Sequence, residues 1–150
     1  MTRTAERDNL RQHGFSLIEA IVAVAIAGII SLMAAPNLGS YVKKYRLVGT
    51  TNQIAFDIAR ARMQAVGQNV FVRIRFLDAT HYMRERSTDG TTYVADDISA
   101  ALPSGITAPD APSTTFTRNG VATAATRINV TNGDTTKRID TNILGRVAIS

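Results

Sequence analysis

Apolar residues are gathered at one end of this chain. Residues 15–35 read FSLIEAIVAVAIAGIISLMAA, a block broken by a single charge, Glu19. A helix needs about 20 apolar residues to cross a bilayer, so residues 15–36 are expected to form a transmembrane helix. A basic stretch with Arg3, Arg7 and Arg11 precedes the block. The positive-inside tendency holds such a stretch in the cytoplasm, which places the rest of the chain on the periplasmic or exterior side. Pro36 lacks an amide donor and clashes with the preceding turn. A kink or a melted stretch is expected over 34–39, or a plain helix end at Pro36.

Helical periodicity returns over 37–67. Leu47, Thr51, Ile54, Ile58, Ala61 and Ala65 recur at steps of four and three, the signature of an amphipathic helix. Lys43, Lys44, Arg46, Arg60 and Arg62 fall elsewhere on its surface, and Gly67 reads as the C-terminal glycine. The period then changes to two. Val70, Val72, Ile74 and Phe76 alternate with Phe71, Arg73 and Arg75, and residues 81–86, HYMRER, read as the returning strand. Asp89-Gly90 is a turn signal, after which residues 91–94 extend the sheet. On this reading Arg73, Arg75, Arg84 and Arg86 share one sheet face as a basic stripe, beside Tyr82 or His81.

Residues 95–115 contain three prolines and no lasting period, and read as loop. Asn119-Gly120 marks a turn. Residues 125–131 read as a strand, Asn132-Gly133 as a hairpin turn, 136–141 as the partner strand and 145–149 as a last short strand. The expected fold is α+β: a long N-terminal helix, half transmembrane and half amphipathic, packed on an antiparallel β-rich domain over 68–150.

Composition adds exclusions. The 150 residues allow one modest core beyond the apolar block. There is no cysteine, so no disulfide and no thiolate nucleophile or ligand. The net charge is +5; without residues 1–14, which hold three arginines and two acids, it is +4. A mildly basic surface tolerates nucleic acid or anionic lipid without requiring either. No catalytic constellation, phosphate-binding glycine loop or metal-ligand spacing is present, and no cofactor is implied. His81 is the single histidine after the basic stretch, and reads as structural. Asp89, Asp96 and Asp97 read as polar loop residues rather than a cation site.

Glu19 carries the most information. A carboxylate among apolar residues at a membrane costs several kcal/mol unless it is paired. An ordinary secretory signal, cut near Ser31, Ala34 or Ala35, gives no reason for it, and neither does a plain anchor. The segment Gly14-Phe15-Ser16-Leu17-Ile18-Glu19, followed by the apolar run, resembles the leader junction of type IV pilins and type II secretion pseudopilins. That resemblance implies cleavage between Gly14 and Phe15 by a prepilin peptidase, removal of a leader over 1–14, and N-methylation of Phe15. It also implies pairing of the new α-ammonium with Glu19 of a neighbouring subunit. Two such charges offset each other's desolvation, and the small residues Ala23, Ala25, Ala27 and Gly28 permit close helix approach.

The second half narrows the likeness. The Phe116-x-x-Asn119-Gly120 element, the strands that follow and Gly145-Arg146-Val147 resemble the GspH/FimT group of minor pilins and pseudopilins. The resemblance implies the pilin fold and a structural subunit that initiates or caps a type IV pilus or a type II secretion pseudopilus. Its partners would be the peptidase, other subunits and the inner membrane, crossed once with the C-terminal domain periplasmic, before the subunit enters a filament. Alternatives are the major subunit of the shaft and a DNA-binding minor pilin of natural transformation. Some FimT-like proteins bind DNA through a Gly-Arg-x-Arg element. Here Gly145 and Arg146 match and Ala148 does not, which leaves Arg146 with Arg127, Lys137 and Arg138 as the candidate phosphate contacts.

Overall fold

The computed structural model describes residues 16–150, and of 32–38, 97 and 98 the backbone alone. One helix, α1 (Leu17–Gln68), precedes seven strands. These are β1 (Phe71–Phe76), β2 (His81–Ser87), β3 (Val94–Ala101), β4 (Thr114–Phe116), β5 (Thr126–Thr131), β6 (Thr136–Thr141) and β7 (Val147–Ile149). The chain divides between Gly39 and Ser40 into two compact units. The first unit contains the start of α1; the second contains the rest of α1 and every strand.

α1 remains helical through Pro36, so the expected melted stretch or helix end is not found. A proline deletes one donor from the ladder, and the leucine, methionine and alanines before it are good helix formers. The C-terminus also differs from expectation. Gly67 is still helical, and Asn69 takes the left-handed conformation, with φ of 54°. Val70 donates its amide to Ala65 at 3.1 Å, and Asn69 donates to Val66 at 3.4 Å. This is a Schellman closure, and asparagine serves because it tolerates that conformation better than most residues. Val70, just beyond the closure, packs against the core.

Within the second unit, Leu47, Thr51, Ile54, Ile58, Ala61 and Ala65 are all buried. The stripe read from the sequence is the face that α1 lays on the sheets. Two antiparallel sheets receive it, a four-stranded one in the order β3-β2-β1-β4 and a three-stranded one in the order β5-β6-β7. Val72, Ile74, Tyr82 and Phe116 enter the core from the first sheet, and Ile128, Val130 and Ile139 from the second. Thr107 and Thr131 exchange backbone hydrogen bonds, and the Thr114 and Thr126 hydroxyls lie 2.8 Å apart. The first contact ties the β3–β4 connection to β5, and the second links β4 of one sheet to β5 of the other.

The segment read as loop holds two strands. β3 forms the outer edge of the first sheet, and its register against β2 shifts between Met83 and Glu85. β4 pairs with β1. β3 reads VADDISAA, with neither alternation nor β-branched enrichment. Its place is fixed by pairing with β2 and not by its own propensity. Asn132-Gly133 opens a loop between β5 and β6, in which the Asn132 side-chain oxygen accepts amides from Asp134 and Thr135.

Candidate assembly site and basic surfaces

The junction of Gly14 with Phe15, and the leader over 1–14, lie outside the described residues. The description begins at Ser16, whose carbonyl accepts the amides of Glu19 at 3.0 Å and Ala20 at 3.2 Å. Glu19 is therefore in the first turn of α1 and is exposed. A carboxylate there is favoured by the helix dipole. Around it, Leu17, Ile18, Ile21, Val24, Ile26, Ile29 and Ile30 are all more than half exposed. They go round the helix rather than along one stripe. Among the described residues no helix is long and apolar enough to cross a membrane. The described side chains of the apolar block end at Ser31.

The expected basic stripe on the first sheet is split between two faces. Register pairs Arg73 with Glu85, and both point to the outer face with Arg75. Arg84 pairs with Ile74, and Arg86 with Val72, on the face that meets α1. Strand alternation alone cannot reveal this, since it depends on how the two strands are aligned. Three of the four arginines are neutralised. Arg73 and Arg75 each donate to Glu85 through Nε, at 2.8 and 3.0 Å. Burial pushes the Glu85 carboxyl up, but Arg75 and Arg73 more than offset this and hold it below its ordinary value. Arg84 donates to Asp96 at 2.9 Å, and Gln64 donates to the same oxygen at 2.9 Å. Arg73 also stacks on Tyr93, 4.0 Å from the ring centre.

The four candidate phosphate contacts are not brought onto one face. Arg127 and Arg138 lie on the exposed face of the second sheet, and Arg127 is paired with Asp140 at 2.8 Å. Lys137 is opposite Val130, on the core-facing side of β6. Arg146 is exposed in the turn before β7, where its amide is bound by the Asn142 side chain at 2.9 Å.

The Gly145-Arg146 element has a structural duty that sequence reading missed. Gly145 has φ of +74°, and a Cβ there would lie 2.6 Å from the Gly120 carbonyl oxygen and 2.7 Å from Nε of Arg62. Gly120 has φ of +73°, and its Cβ would meet Val66 at 2.7 Å. Arg62 Nε donates to the Gly120 carbonyl at 2.9 Å. The Asn119-Gly120 turn and the Gly145 turn thus close on one arginine of α1. Only the isolated glycines are legible in the sequence.

The remaining candidates serve the fold. His81 Nδ1 lies 3.0 Å from Asp78. The Thr80 side chain and amide, then His81, hold the Asp78 carboxyl well below the carboxylate range. Asp89 accepts the Ser87 hydroxyl and the amides of Thr91 and Thr92, and is depressed by those bonds. Asp57, on α1, is buried and accepts the Tyr82 hydroxyl of β2 at 2.6 Å. Burial, then Asp57, pushes that hydroxyl's pKa well up.

Comparison with known proteins agrees with this geometry. Residues 9–35 match the prokaryotic N-terminal methylation motif, and residues 50–145 match the family described as type II transport protein GspH. No curated protein sequence matches the chain. Among solved structures, the type IV minor pilin FimU of Pseudomonas aeruginosa is 15% identical. It superposes with a TM-score of 0.62 over 73% of this chain and 92% of its own. The minor pseudopilin EpsH from the type 2 secretion system of Vibrio cholerae is 11% identical. Its TM-score is 0.56 over 70% of this chain and 96% of its own. At such identities the likeness is one of fold, the pilin fold.

Proposed function

Because the chain belongs to the GspH family and carries the N-terminal methylation motif, we propose that it is a structural minor subunit that helps to initiate or cap a type IV pilus or a type II secretion pseudopilus. A prepilin peptidase cuts between Gly14 and Phe15, and Phe15 is N-methylated. The subunit waits in the inner membrane, with the apolar block spanning it once, the leader side cytoplasmic and the β-domain periplasmic. It then passes into the filament beside other subunits.

The observation that carries this reading is the start of α1. Its apolar side chains are exposed around the helix, and a carboxylate stands in its first turn. A helix that is hydrophobic all round is stable only when buried by lipid or by other helices. Glu19 then meets the α-ammonium of Phe15 on a neighbour, which sets the axial register. Minor pilin FimU and minor pseudopilin EpsH share the fold, which supports a minor role.

Mass spectrometry of the mature protein tests the first step. A chain starting at methylated Phe15 is expected; a retained leader, or a cut beyond Ala35, would sink the proposal. The Glu19→Ala variant should be processed normally yet be missing from sheared filaments. Normal incorporation of that variant would remove the register role.

A further inference from the structure

We propose that the trough between α1 and the edge strand β3 receives an extended segment of a partner protein, apolar at one end and acidic further along, which adds a strand to the first sheet. Three cavities follow one another along this trough. The first, of about 510 Å3, is walled by Tyr45, Gly49, Tyr82, Ala100 and Leu102. The second, of about 660 Å3, is walled by Arg60, Gln64, Arg84, Arg86 and Asp96. A third, of about 320 Å3, includes Gln68, Arg86 and Val94. Arg60 is common to the first and second, and Gln68 and Arg86 to the second and third. The trough therefore accompanies β3 from Val94 to its end, and α1 from Tyr45 to Gln68.

Among the described residues β3 pairs with β2 alone, and no strand lies beside its other edge. Leu102 donates its amide to Thr80, the residue before β2. Amides alternate in direction along a strand, so those of Ala101 and Ser99 point away from β2. An unpaired edge lined by a groove is the geometry of strand addition, in which main-chain bonds give affinity and pockets for alternate side chains give specificity. Asp96, held by Arg84, puts a charge on one part of β3, which disfavours edge pairing there. The stretch from Ser99 to Ala101 carries no charge.

The walls define the partner. The Tyr45–Leu102 end presents mainly apolar surface, from Tyr45, Ala100 and Leu102 with Arg46 and Asp57 at its margin, and takes an aliphatic or aromatic side chain. Arg84 is neutralised by Asp96, whereas Arg60 and Arg86 form no ion pair among the described residues. Two exposed guanidiniums with the Gln68 amide nearby suit carboxylates, while the Gln64 amide is taken up by Asp96 and Gln68. Helix positions 53 and 64, central to the two cavities, are separated by about 16 Å of helix rise. An extended chain covers that in about five residues, so the carboxylate follows the apolar anchor at roughly that spacing. The proposal rests on the β-domain and not on the leader, so it stands or falls separately from the processing and register roles.

A fluorescent eight-residue peptide, blocked at both ends, tests it. One half carries valine at alternate positions and the other half glutamate; the reversed sequence covers the opposite strand direction. Anisotropy is measured with the full chain in detergent. Saturable binding is expected, weakened at least about tenfold by Arg60→Glu, and likewise by Ala101→Pro, which removes an outward amide at a position where an edge strand accepts proline. Both variants should keep the wild-type circular dichroism. A lysine-for-glutamate peptide should not bind. No binding up to about 1 mM peptide, or binding indifferent to both substitutions, overturns the proposal. So does displacement of the peptide by duplex DNA at comparable concentration, or self-association of the chain that Ala101→Pro abolishes without any peptide binding. The first of these would assign the trough to nucleic acid, the second to another copy.

Discussion

The two stretches of α1 on either side of Gly39 share a backbone conformation and differ in what satisfies their side chains. Beyond Ser40, Leu47, Ile54 and Ile58 are fully buried against the chain's own sheets. Before it, Leu17, Ile18 and Val24 are at least 70% exposed. Helix propensity alone rarely holds a helix in water, and packing of one face supplies most of the stability. The later stretch finds that packing within the molecule. In the function proposed above, the earlier one finds it in lipid or in other chains. On that proposal one stretch of the helix serves folding and the other assembly, and mutations should separate the two.

The sharpest test of that contrast is a pair of truncations. Ile58→Ala should destabilise the β-domain by about 4 kcal/mol, read as a lower denaturant midpoint by circular dichroism. Ile26→Ala should move that midpoint by less than about 0.5 kcal/mol and instead reduce recovery in filaments. Equal effects on domain stability would break the comparison. Next in size is Gly145→Val, expected to cost about 3 kcal/mol through a strained positive φ and overpacking against Arg62. Thermal unfolding checks it.

Glu85→Gln comes third, at about 2 kcal/mol, because it removes a buried carboxylate shared by two arginines. Its pH dependence has a definite sign. The folded carboxyl titrates below its ordinary value of 4.5, so its contribution is complete above that value. It is lost as pH falls through the lower folded value. The acid limb of a stability–pH curve should therefore flatten in the variant. Smallest is Asn69→Ala, about 1 kcal/mol for placing a Cβ residue in the left-handed conformation without the asparagine amide. Urea titration resolves it.

The sequence speaks most clearly where period and burial coincide. The stripe from Leu47 to Ala65 and the alternation of β1 could be read directly, because each element buries one face. β3 could not, since an edge strand of Ala, Asp and Ser carries no pattern and exists through pairing with β2. The division of Arg73 and Arg75 from Arg84 and Arg86 was equally hidden, because register belongs to two strands together. Gly67 reads as the helix end because glycine is the usual closing residue, whereas Asn69 fills that place here. At the candidate assembly site, Glu19 stands out by the chemistry of a charge in an apolar run. The partner carboxylates of the basic residues, Glu85, Asp96 and Asp140, emerge only from the fold.

The clasp of Gly120 and Gly145 on Arg62 makes three distant positions one heritable unit. A side chain at either glycine collides with the same arginine or with its neighbours, so effects at the three sites should not add. Shortening Arg62 removes the side-chain crowding at Gly145, but a Cβ there still meets the Gly120 carbonyl at 2.6 Å, and Gly120 stays pressed against Val66. Both glycines also keep their positive φ. Among descendants of this sequence, Arg62 should therefore be lost before either glycine, and a lineage that kept the arginine after losing a glycine would have rebuilt the turn.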